Sequence, residues 1–338
     1  MKSVAISLII LGAFLVLSLL AFGIPVGNGL TLLYEGAMGD SVAISQSLVR
    51  STPLLLTAIG IAIAWKAGAF SIGAEGQLLM GALFAAATGK ALLHSNLGIV
   101  AVGFMLFAGV AGGALWAAVA AFLNTKRGVD IVISTILLNF IAVHLLNFAV
   151  EGPLRRPNQT APLTDQLPVA MMLPKFSKQS DLHAGLIIAI IVAIAAAIYM
   201  ARTRSGYFAR VVGANPALAK QVHIDPDTIK AKALALSGAV CGLAGAIQYL
   251  GINGQISNSF SQGYGFLGIP VALIGNLNPL AILPFSMVFG GLFAATGNLS
   301  RFGNVGSYFV YLIQAGTVLG LLIYRHIEKR RALLRSAE

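Results

Sequence analysis

One carboxylate stands inside an apolar run, where a charged side chain is costly. Glu75 lies in the stretch SIGAEGQLLM, between Gly73 and Gly76 and two residues before Gln77. At the centre of a membrane helix an acidic residue costs about 2.5–3.5 kcal/mol to insert, which makes it a candidate for function by default. The two glycines could instead break the helix, leaving Glu75 to accept hydrogen bonds from freed backbone N–H groups near an interface. Both interpretations stay open for Glu75 and Gln77.

Amide and imidazole groups form a second polar set within apolar runs. Asn139, His144 and Asn147 follow one another at spacings of five and three residues. On an ideal helix His144 and Asn147 share a face, whereas Asn139 lies roughly 140° from His144, so the three cannot line one narrow stripe. Such groups could bind a hydroxylated ligand along a pathway, but hydrogen bonds between packed helices are their commoner use. The same alternatives apply to Gln248.

Catalytic, metal and nucleotide motifs are missing from the sequence. It contains no H-E-x-x-H, no G-x-S-x-G and no paired carboxylates in apolar runs. No G-x-x-x-x-G-K-[ST] occurs either, since Gly89-Lys90 is followed by Ala91. The lone Cys241 cannot form a disulfide or a metal framework and is typical of a small buried thiol. We expect a chain that is not an enzyme and has no catalytic residue, metal or cofactor of its own.

Composition places these residues in a membrane protein. The chain is 57% hydrophobic and 10% charged, against the roughly 45–50% apolar and 25% charged usage of soluble domains. Apolar windows near the ~20 residues that cross a bilayer predict one all-α, polytopic domain over 1–338. About ten transmembrane helices are expected, near 4–22, 44–64, 71–89, 97–123, 131–150, 184–201, 233–251, 264–278, 280–298 and 306–324.

The net charge of +11 is explained by orientation in the membrane. With the N-terminus inside, the inner segments hold 15 basic residues and the outer segments 6, with Arg50 assigned to a span. Basic residues concentrate on the cytoplasmic side, which predicts cytoplasmic N- and C-termini. No soluble surface with interleaved basic and aromatic residues is present, so membrane lipid is an expected partner and nucleic acid is not.

Four segments are expected outside the bilayer. Residues 23–40 are rich in glycine and predict an outer loop, and residues 151–183 predict an irregular, proline-rich external loop. Residues 202–232 predict a cytoplasmic loop, and residues 325–338 a basic cytoplasmic tail. Asn278-Pro279 breaks the apolar block 264–298 into two short helices.

The cytoplasmic loop carries the most specific local pattern. Asn215 followed by Pro216 predicts a helix start, because Asn accepts hydrogen bonds from the first turn and proline loses nothing at the first helical position. Asp225-Pro226 repeats the device. Gly213 is expected to allow a sharp bend before the cap. An ordinary positively charged connector remains an alternative, but two caps in a 30-residue loop exceed what orientation requires.

Pairs of glycines four residues apart predict close helix packing. Within apolar spans, small faces let helix backbones approach each other. The pairs are Gly109 and Gly113, Gly238 and Gly242, and Gly316 and Gly320.

Three blocks of the sequence resemble a known family. RSGYFARVVGANPALAKQVHIDPDTIKAKALALSGAVCGLAGAI resembles the cytoplasmic loop and following span of permease subunits from branched-chain amino acid and simple-sugar ABC importers. SIGAEGQLLMGALFAA and GYGFLGIPVALIGNLNPLAILPFSMVFGGLFAATGN are similar to two further blocks of that family. The block AWKAGAFSIGAEGQLLMGA and the proline-rich loop are most similar to the nucleoside permeases.

The resemblance implies a type II ABC importer-like bundle in the bacterial cytoplasmic (inner) membrane. Its partners would be an ATPase subunit that binds ATP and Mg, a second permease subunit and an extracytoplasmic substrate-binding protein. The solute would be a purine nucleoside, with a simple sugar as the alternative and a secondary transporter as a further one. The residues matching the ATPase-coupling motif are Gly213, Ala214, Asn215, Pro216, Ala217 and Ala219, of which Ala217 and Ala219 are small enough to permit close approach of a partner. The translocation-pathway candidates are Glu75, Gln77, Asn139, His144, Asn147 and Gln248.

Overall fold

The computed structural model describes residues 2–157, 159–176, 180–252 and 254–302, together with residues 312, 315, 316, 319, 320 and 323. In this part of the chain the regular structure is helical, with a few isolated β-bridges. The helices are α1 Lys2–Ala21, α2 Val26–Met38, α3 Ser41–Lys66, α4 Ala74–Leu92, α5 Ile99–Arg127, α6 Ile131–Glu151, α7 Gly185–Arg202, α8 Arg204–Ala214, α9 Pro216–Gln221, α10 Pro226–Gly251, α11 Tyr264–Ile274 and α12 Pro279–Phe302.

A helix lies at each of the first nine predicted spans. By length and composition, five described helices can cross a membrane, namely α3, α5, α6, α7 and α10. The number becomes six if α1 and α2 are taken as one bent span. The tenth predicted span, 306–324, lies outside the described residues except at six positions, and the predicted tail 325–338 lies wholly outside them.

The prediction of an outer loop over 23–40 is wrong. Val26–Met38 form helix α2, which makes an angle of 117° with the Gly12–Ala21 part of α1. Gly36 lets α2 approach α12, because a Cβ there would overlap the backbone of Ala295. Tertiary packing thus overrides the low helix propensity of the glycines in this segment.

The centre of the bundle is built on α3 and α10. In their most apolar 18-residue windows, 89% of α3 and 72% of α10 is buried, compared with 28% for α6 and for α7. The outward faces of α6 and α7 expose large apolar side chains such as Phe140, Phe148 and Ile191. This distribution suits a bundle whose outer surface meets lipid, since apolar side chains gain nothing there from burial in protein.

Glycine pairs bring α5 and α10 into backbone contact, as predicted. A Cβ on Gly113 would overlap the carbonyl oxygen of Gly238, and a Cβ on Gly242 would overlap that of Gly109. Cys241, next to this contact, is 0% exposed, which confirms the expected buried thiol. In the third predicted pair, Gly316 faces the ring of Phe14 in α1.

The described parts of segment 151–183 form an irregular cover over one end of the bundle, which we call the lid. Its regular structure is a single 3₁₀ turn, Val169–Met171. Backbone N–H groups of the lid donate to the connection after α10, from Thr164 to Ile256 O at 3.1 Å and from Leu167 to Gly254 O at 3.1 Å. These bonds attach the lid to the end of the bundle where α10 ends, which we call the lid end.

Candidate functional site

A polar cleft of about 200 Å³ opens at the lid end of the bundle. It lies where α3, the end of α10, the start of α11 and the lid meet. Four separate parts of the chain therefore supply its wall, and the charged and amide groups among them are unusual for a bundle of apolar helices. The lining residues are Gln46, Val49, Arg50, Asp181, Gln248, Ile252, Gln262 and Tyr264.

Helix α3 presents Gln46 and Arg50 to the cleft from one face, because residues four apart are neighbours on a helix. Arg50 Nη1 donates to Gln262 Oε1 at 3.5 Å. The guanidinium also lies over the ring of Phe293, 4.9 Å from its centroid, an arrangement in which the negative face of the ring attracts the cation. Arg50 is thus half-buried and held from two sides.

The opposite wall comes from the turn that begins α11. Tyr264 is 2% exposed, and its hydroxyl donates to Gln262 Oε1 at 3.0 Å. The Tyr264 and Phe293 rings lie 5.7 Å apart with a tilt of 48°. Gln262 therefore accepts from both Tyr264 and Arg50, which links the two walls.

Glu75 fixes this turn from inside the bundle. The side chain is 1% exposed. Its Oε1 accepts from the Ser261 hydroxyl, and its Oε2 accepts from the Gly265 N–H at 2.7 Å. Gly265 must be glycine, since a Cβ there would overlap the Glu75 backbone. The carboxylate thus caps the N-terminus of α11, where unpaired N–H groups favour negative charge.

The depth of Glu75 within the bundle follows from a contact between α3 and Tyr264, the residue before Gly265. The Thr57 hydroxyl donates to Tyr264 O at 3.2 Å, and Thr57 lies nine residues before Lys66, or about 13 Å along the helix. Glu75 is in the first turn of α4, so α4 also begins inside the bundle. The carboxylate is therefore buried within the bundle, although it is near a helix end.

Two other candidates lie beside Glu75. Asn139 of α6 accepts from the Gly76 N–H at 2.8 Å and donates to Ile72 O at 2.9 Å. Asn139 of α6 therefore pairs with backbone groups around the start of α4. This is the hydrogen bonding between packed helices that is the commoner use of such a residue. Gln77 is 2% exposed, and its Oε1 has no hydrogen-bond partner among the described residues.

The structure separates the remaining candidates. Gln248 lines the cleft. His144 is exposed on the outward face of α6, away from Asn139. Asn147 is half-buried, and its Oδ1 has no hydrogen-bond partner among the described residues. The pathway candidates thus do not form one cluster.

The lid joins α7 through a buried histidine. His183 is 2% exposed, and its Nδ1 accepts from the Gly185 N–H at 3.1 Å. The pKa of His183 is lowered to about 4, mainly by burial and in part by the nearby Lys175, with Asp181 opposing the decrease. His183 is therefore neutral at physiological pH. Lys175 and Asp181 form an ion pair of 2.7 Å at the same junction.

At the opposite end, residues 204–221 form two short helices outside the bundle. Thr203 caps α8 by accepting from the Gly206 N–H at 3.0 Å. Asn215 caps α9 by accepting from Ala217 and Leu218, both at 3.0 Å, and Pro216 is the first residue of α9. The predicted cap at Asn215 is confirmed, whereas α8 is an additional helix.

The second predicted cap, at Asp225, is also confirmed. The carboxylate accepts from the N–H groups of Asp227 and Thr228, at 3.2 and 3.3 Å. Hydrogen bonds hold the pKa of Asp225 below its usual value, and the bond from the Thr228 side chain contributes most to this decrease. Asp225 therefore stays ionised at the start of α10.

Gly213 permits close packing and makes no sharp bend. It lies within α8 with an ordinary negative φ, and a Cβ there would overlap the carbonyl oxygen of Lys66. Ala219 is 0% exposed and packs inward, whereas Leu218 and Val222 are 50% and 56% exposed. Ala217 and Ala214 are exposed. Of the two alanines expected to meet a partner, only Ala217 is accessible.

One helix connects the two regions. The last residue of α3, Lys66, contacts Gly213, while Arg50 in the first half of the same helix lines the cleft. The two residues are 16 positions apart, or about 24 Å along the helix. Helix α3 therefore extends from the contact with α8 to the cleft.

Sequence reasoning missed most of the cleft. Arg50 was placed in a span without a role, although an arginine within an apolar span is a functional candidate by default. Gln46, Gln262 and Tyr264 carried no comparable signal, because only the fold brings them to Arg50.

Comparison with known proteins extends over both regions. The model of a family described as "Branched-chain amino acid transport system / permease component" matches residues 43–323. A glucose ABC transporter permease protein of Haloferax volcanii is 29% identical over 324 residues, covering 93% of this chain and 85% of that protein. No solved structure matches the chain.

Two further similar proteins are named as permeases for guanosine or for nucleosides. A guanosine ABC transporter permease protein of Bacillus subtilis is 29% identical over 312 residues, covering 90% of this chain and 87% of that protein. A nucleoside ABC transporter permease protein of Lactococcus lactis is 30% identical over 293 residues, covering 84% of this chain and 79% of that protein.

Proposed function

The chain belongs to the branched-chain amino acid transport system permease family, and from that premise we propose that it forms one of two permease subunits of an ATP-driven importer. It is a multi-pass protein of the cytoplasmic membrane. ATP hydrolysis takes place in a separate ATPase, since the sequence has no P-loop. A binding protein outside the membrane delivers the solute to the lid end.

The ATPase docks on α8 and α9. The observation that carries this proposal is the contact between Gly213 and Lys66, which joins the capped helices to α3. The exposed Ala217, Leu218 and Val222 offer the ATPase an apolar surface. The cap at Asn215 keeps α9 helical when the ATPase pushes on it. In this arrangement ATPase closure moves α9, α8 and α3 together.

The solute is a purine nucleoside. Relatives named for guanosine and for nucleosides align over most of the chain. The amides and the guanidinium in the cleft are groups that pair with the edges of bases. A simple sugar is the second candidate, because a relative named for glucose aligns over 93% of the chain.

The coupling proposal is tested with one substitution and a matched control in another helix. Gly213→Val introduces a side chain that meets Lys66 O, whereas Gly103→Val adds the same side chain in α5, where a Cβ meets nothing within 4 Å. In proteoliposomes containing the complete transporter, we expect Gly213→Val to lose most ATP-dependent nucleoside uptake while the chain still inserts. Gly103→Val should retain at least half of the uptake. Equal uptake by the two variants would refute the role given to this contact.

Uptake by the unmodified transporter tests the energy source. An ATP-driven importer takes up solute after the proton gradient has been collapsed, whereas a proton-coupled secondary carrier does not. Uptake that requires the gradient and ignores ATP would overturn the proposed function.

A further inference from the structure

Arg50 has few protein partners for a guanidinium within a membrane helix. Its hydrogen-bond acceptor among the described residues is Gln262 Oε1, at the long distance of 3.5 Å. The ion pairs of the described residues are Lys90 with Asp165 and Lys175 with Asp181, and neither includes Arg50. A guanidinium carries five N–H donors in a planar fork. Most of the donors of Arg50 therefore have no acceptor in the described protein.

The groups around Arg50 make the cleft rich in donors. Gln46 and Gln248 line it with amide groups, each of which carries two N–H donors and one acceptor oxygen. Gln262 Oε1 already accepts from Arg50 and Tyr264. Asp181 Oδ1 already accepts from Lys175 at 2.7 Å. A ligand with adjacent acceptor atoms matches the N–H donors that Arg50 presents to the cleft.

Resting on the proposed function, we propose that Arg50 is the specificity-determining residue for the solute and binds the O6 and N7 acceptors of a 6-oxopurine base. An arginine fork matches these two atoms with two parallel N–H donors, whereas the ammonium group of lysine is a compact point charge without a planar fork. The cleft volume of about 200 Å³ is below the roughly 300–1,000 Å³ of sites that enclose a whole drug-sized ligand. The cleft therefore holds the base and leaves the ribose outside it.

The experiment combines one substitution in the protein with one in the solute. The complete transporter, with its ATPase, second permease and binding protein, is reconstituted in liposomes. The kcat/KM of ATP-dependent uptake is measured for guanosine and for 7-deazaguanosine, in which carbon replaces N7. The same binding protein serves the wild type and Arg50→Lys, so its own preference cancels when the two guanosine-to-deazaguanosine ratios are compared.

We expect Arg50→Lys to reduce this ratio about tenfold, within the range of a lost bidentate contact. Arg156→Lys, the same substitution on the lid, should leave the ratio unchanged. An unchanged ratio in Arg50→Lys, or equal losses for both solutes, overturns the subsite while the nucleoside function stands. Failure of the wild type to import either nucleoside overturns the proposed function and the subsite together.

A second variant keeps the test decisive if Arg50→Lys does not assemble. Gln262→Glu places a carboxylate beside the guanidinium, which would occupy its donors within the protein. It should lower the guanosine-to-deazaguanosine ratio as Arg50→Lys does. A ratio equal to that of the wild type in this variant also overturns the proposal.

Discussion

Glu75 acts on the cleft through the backbone. Its carboxylate accepts from Ser261 and Gly265, on both sides of the two residues, Gln262 and Tyr264, that line the cleft. A buried carboxylate needs such partners, because an unpaired charge in a low-dielectric interior is very costly. Glu75 is therefore a positioning residue in this structure, and its partners explain why a charge is tolerated there.

Replacing Glu75 by glutamine should loosen the turn. Glutamine has one acceptor oxygen in place of two, so one of the donors, Ser261 Oγ or the Gly265 N–H, loses its partner. We expect Glu75→Gln to lower the thermal unfolding midpoint and to reduce solute uptake, with a cost of about 1–3 kcal/mol for the unsatisfied group. Glu35→Gln, on the exposed face of α2, should stay within about 0.5 kcal/mol of the wild type.

The two measurements separate positioning from direct contact with solute. A variant that keeps its unfolding midpoint but loses uptake would show that Glu75 touches the solute, contrary to the hydrogen bonds described.

His183 makes the junction between the lid and α7 sensitive to acid. Its pKa in the folded chain, about 4, lies below the ordinary value of 6.5. The stabilisation is therefore fully present above pH 6.5 and is lost as the pH falls through 4, by at most about 1.4 kcal/mol per pH unit. We expect the hydrogen-exchange protection factors of residues 185–188 to fall between pH 6.5 and 4.5.

A matched variant removes the titration but keeps the acceptor. Asn at position 183 offers a side-chain oxygen to the Gly185 N–H. In His183→Asn the protection factors should be the same at both pH values, and a decrease equal to that of the wild type would assign the acid sensitivity to other groups.

At the scale of residues, sequence reasoning predicts local contacts and misses distant ones. Asn215 and Asp225 cap the helices that begin one residue later, so the whole interaction lies within four residues. The partner of Glu75 lies 186 residues further along the chain, and no local pattern indicates it. The same holds for Arg50 and Gln262, which are 212 residues apart.

At the scale of elements, α9 depends on its cap more than a long helix would. It has six residues, and isolated helices shorter than about 12–15 residues are marginal in water. The Asn215 side chain satisfies two of its first N–H groups. The rigidity of the segment that we propose to dock the ATPase therefore rests on this one side chain and on the buried Ala219.

Removing the cap should weaken the coupling of ATP hydrolysis to uptake. Asn215→Ala loses the two hydrogen bonds, at a cost of about 1 kcal/mol, and we expect faster amide exchange in residues 217–221 and less solute imported per ATP. Asn215→Ser retains a capping oxygen and should behave as the wild type. Unaltered solute-to-ATP stoichiometry in Asn215→Ala, with exchange increased as expected, would contradict the need for a rigid α9.

At the same scale, long apolar runs in the sequence predict helices correctly, whereas helices that depend on tertiary packing are not predicted. The predicted spans 44–64, 131–150 and 233–251 coincide with α3, α6 and α10. Helix α2 was missed because its glycines favour a loop until α12 covers them. The internal starts of α4 and α11 could not be predicted either, since hydropathy marks the length of a span and not the depth at which a helix begins.

At the scale of the whole molecule, helix α3 connects the two candidate functional regions. Lys66 contacts α8, and Arg50 faces the cleft beneath the lid. The excess of basic residues in the segments expected on the α8 side predicts that this side faces the cytoplasm. Two helices, α4 and α11, begin inside the bundle between these ends, a feature of transporters that bind solute within the membrane.

Labelling from each side of the membrane tests this orientation directly. The only cysteine of the chain, Cys241, is 0% exposed and should not react with a membrane-impermeant maleimide. Cysteine can therefore be introduced singly at Ala217 in α9 or at Val169, which is 87% exposed in the lid. In intact cells or spheroplasts we expect Val169→Cys to be labelled and Ala217→Cys to be protected. In inside-out vesicles from cells that express the permeases without the ATPase, the pattern should reverse, because Ala217 is then uncovered and each site is accessible from one side only. Labelling of Ala217→Cys from the outside would invert the molecule and remove the basis for placing the ATPase at α8 and α9.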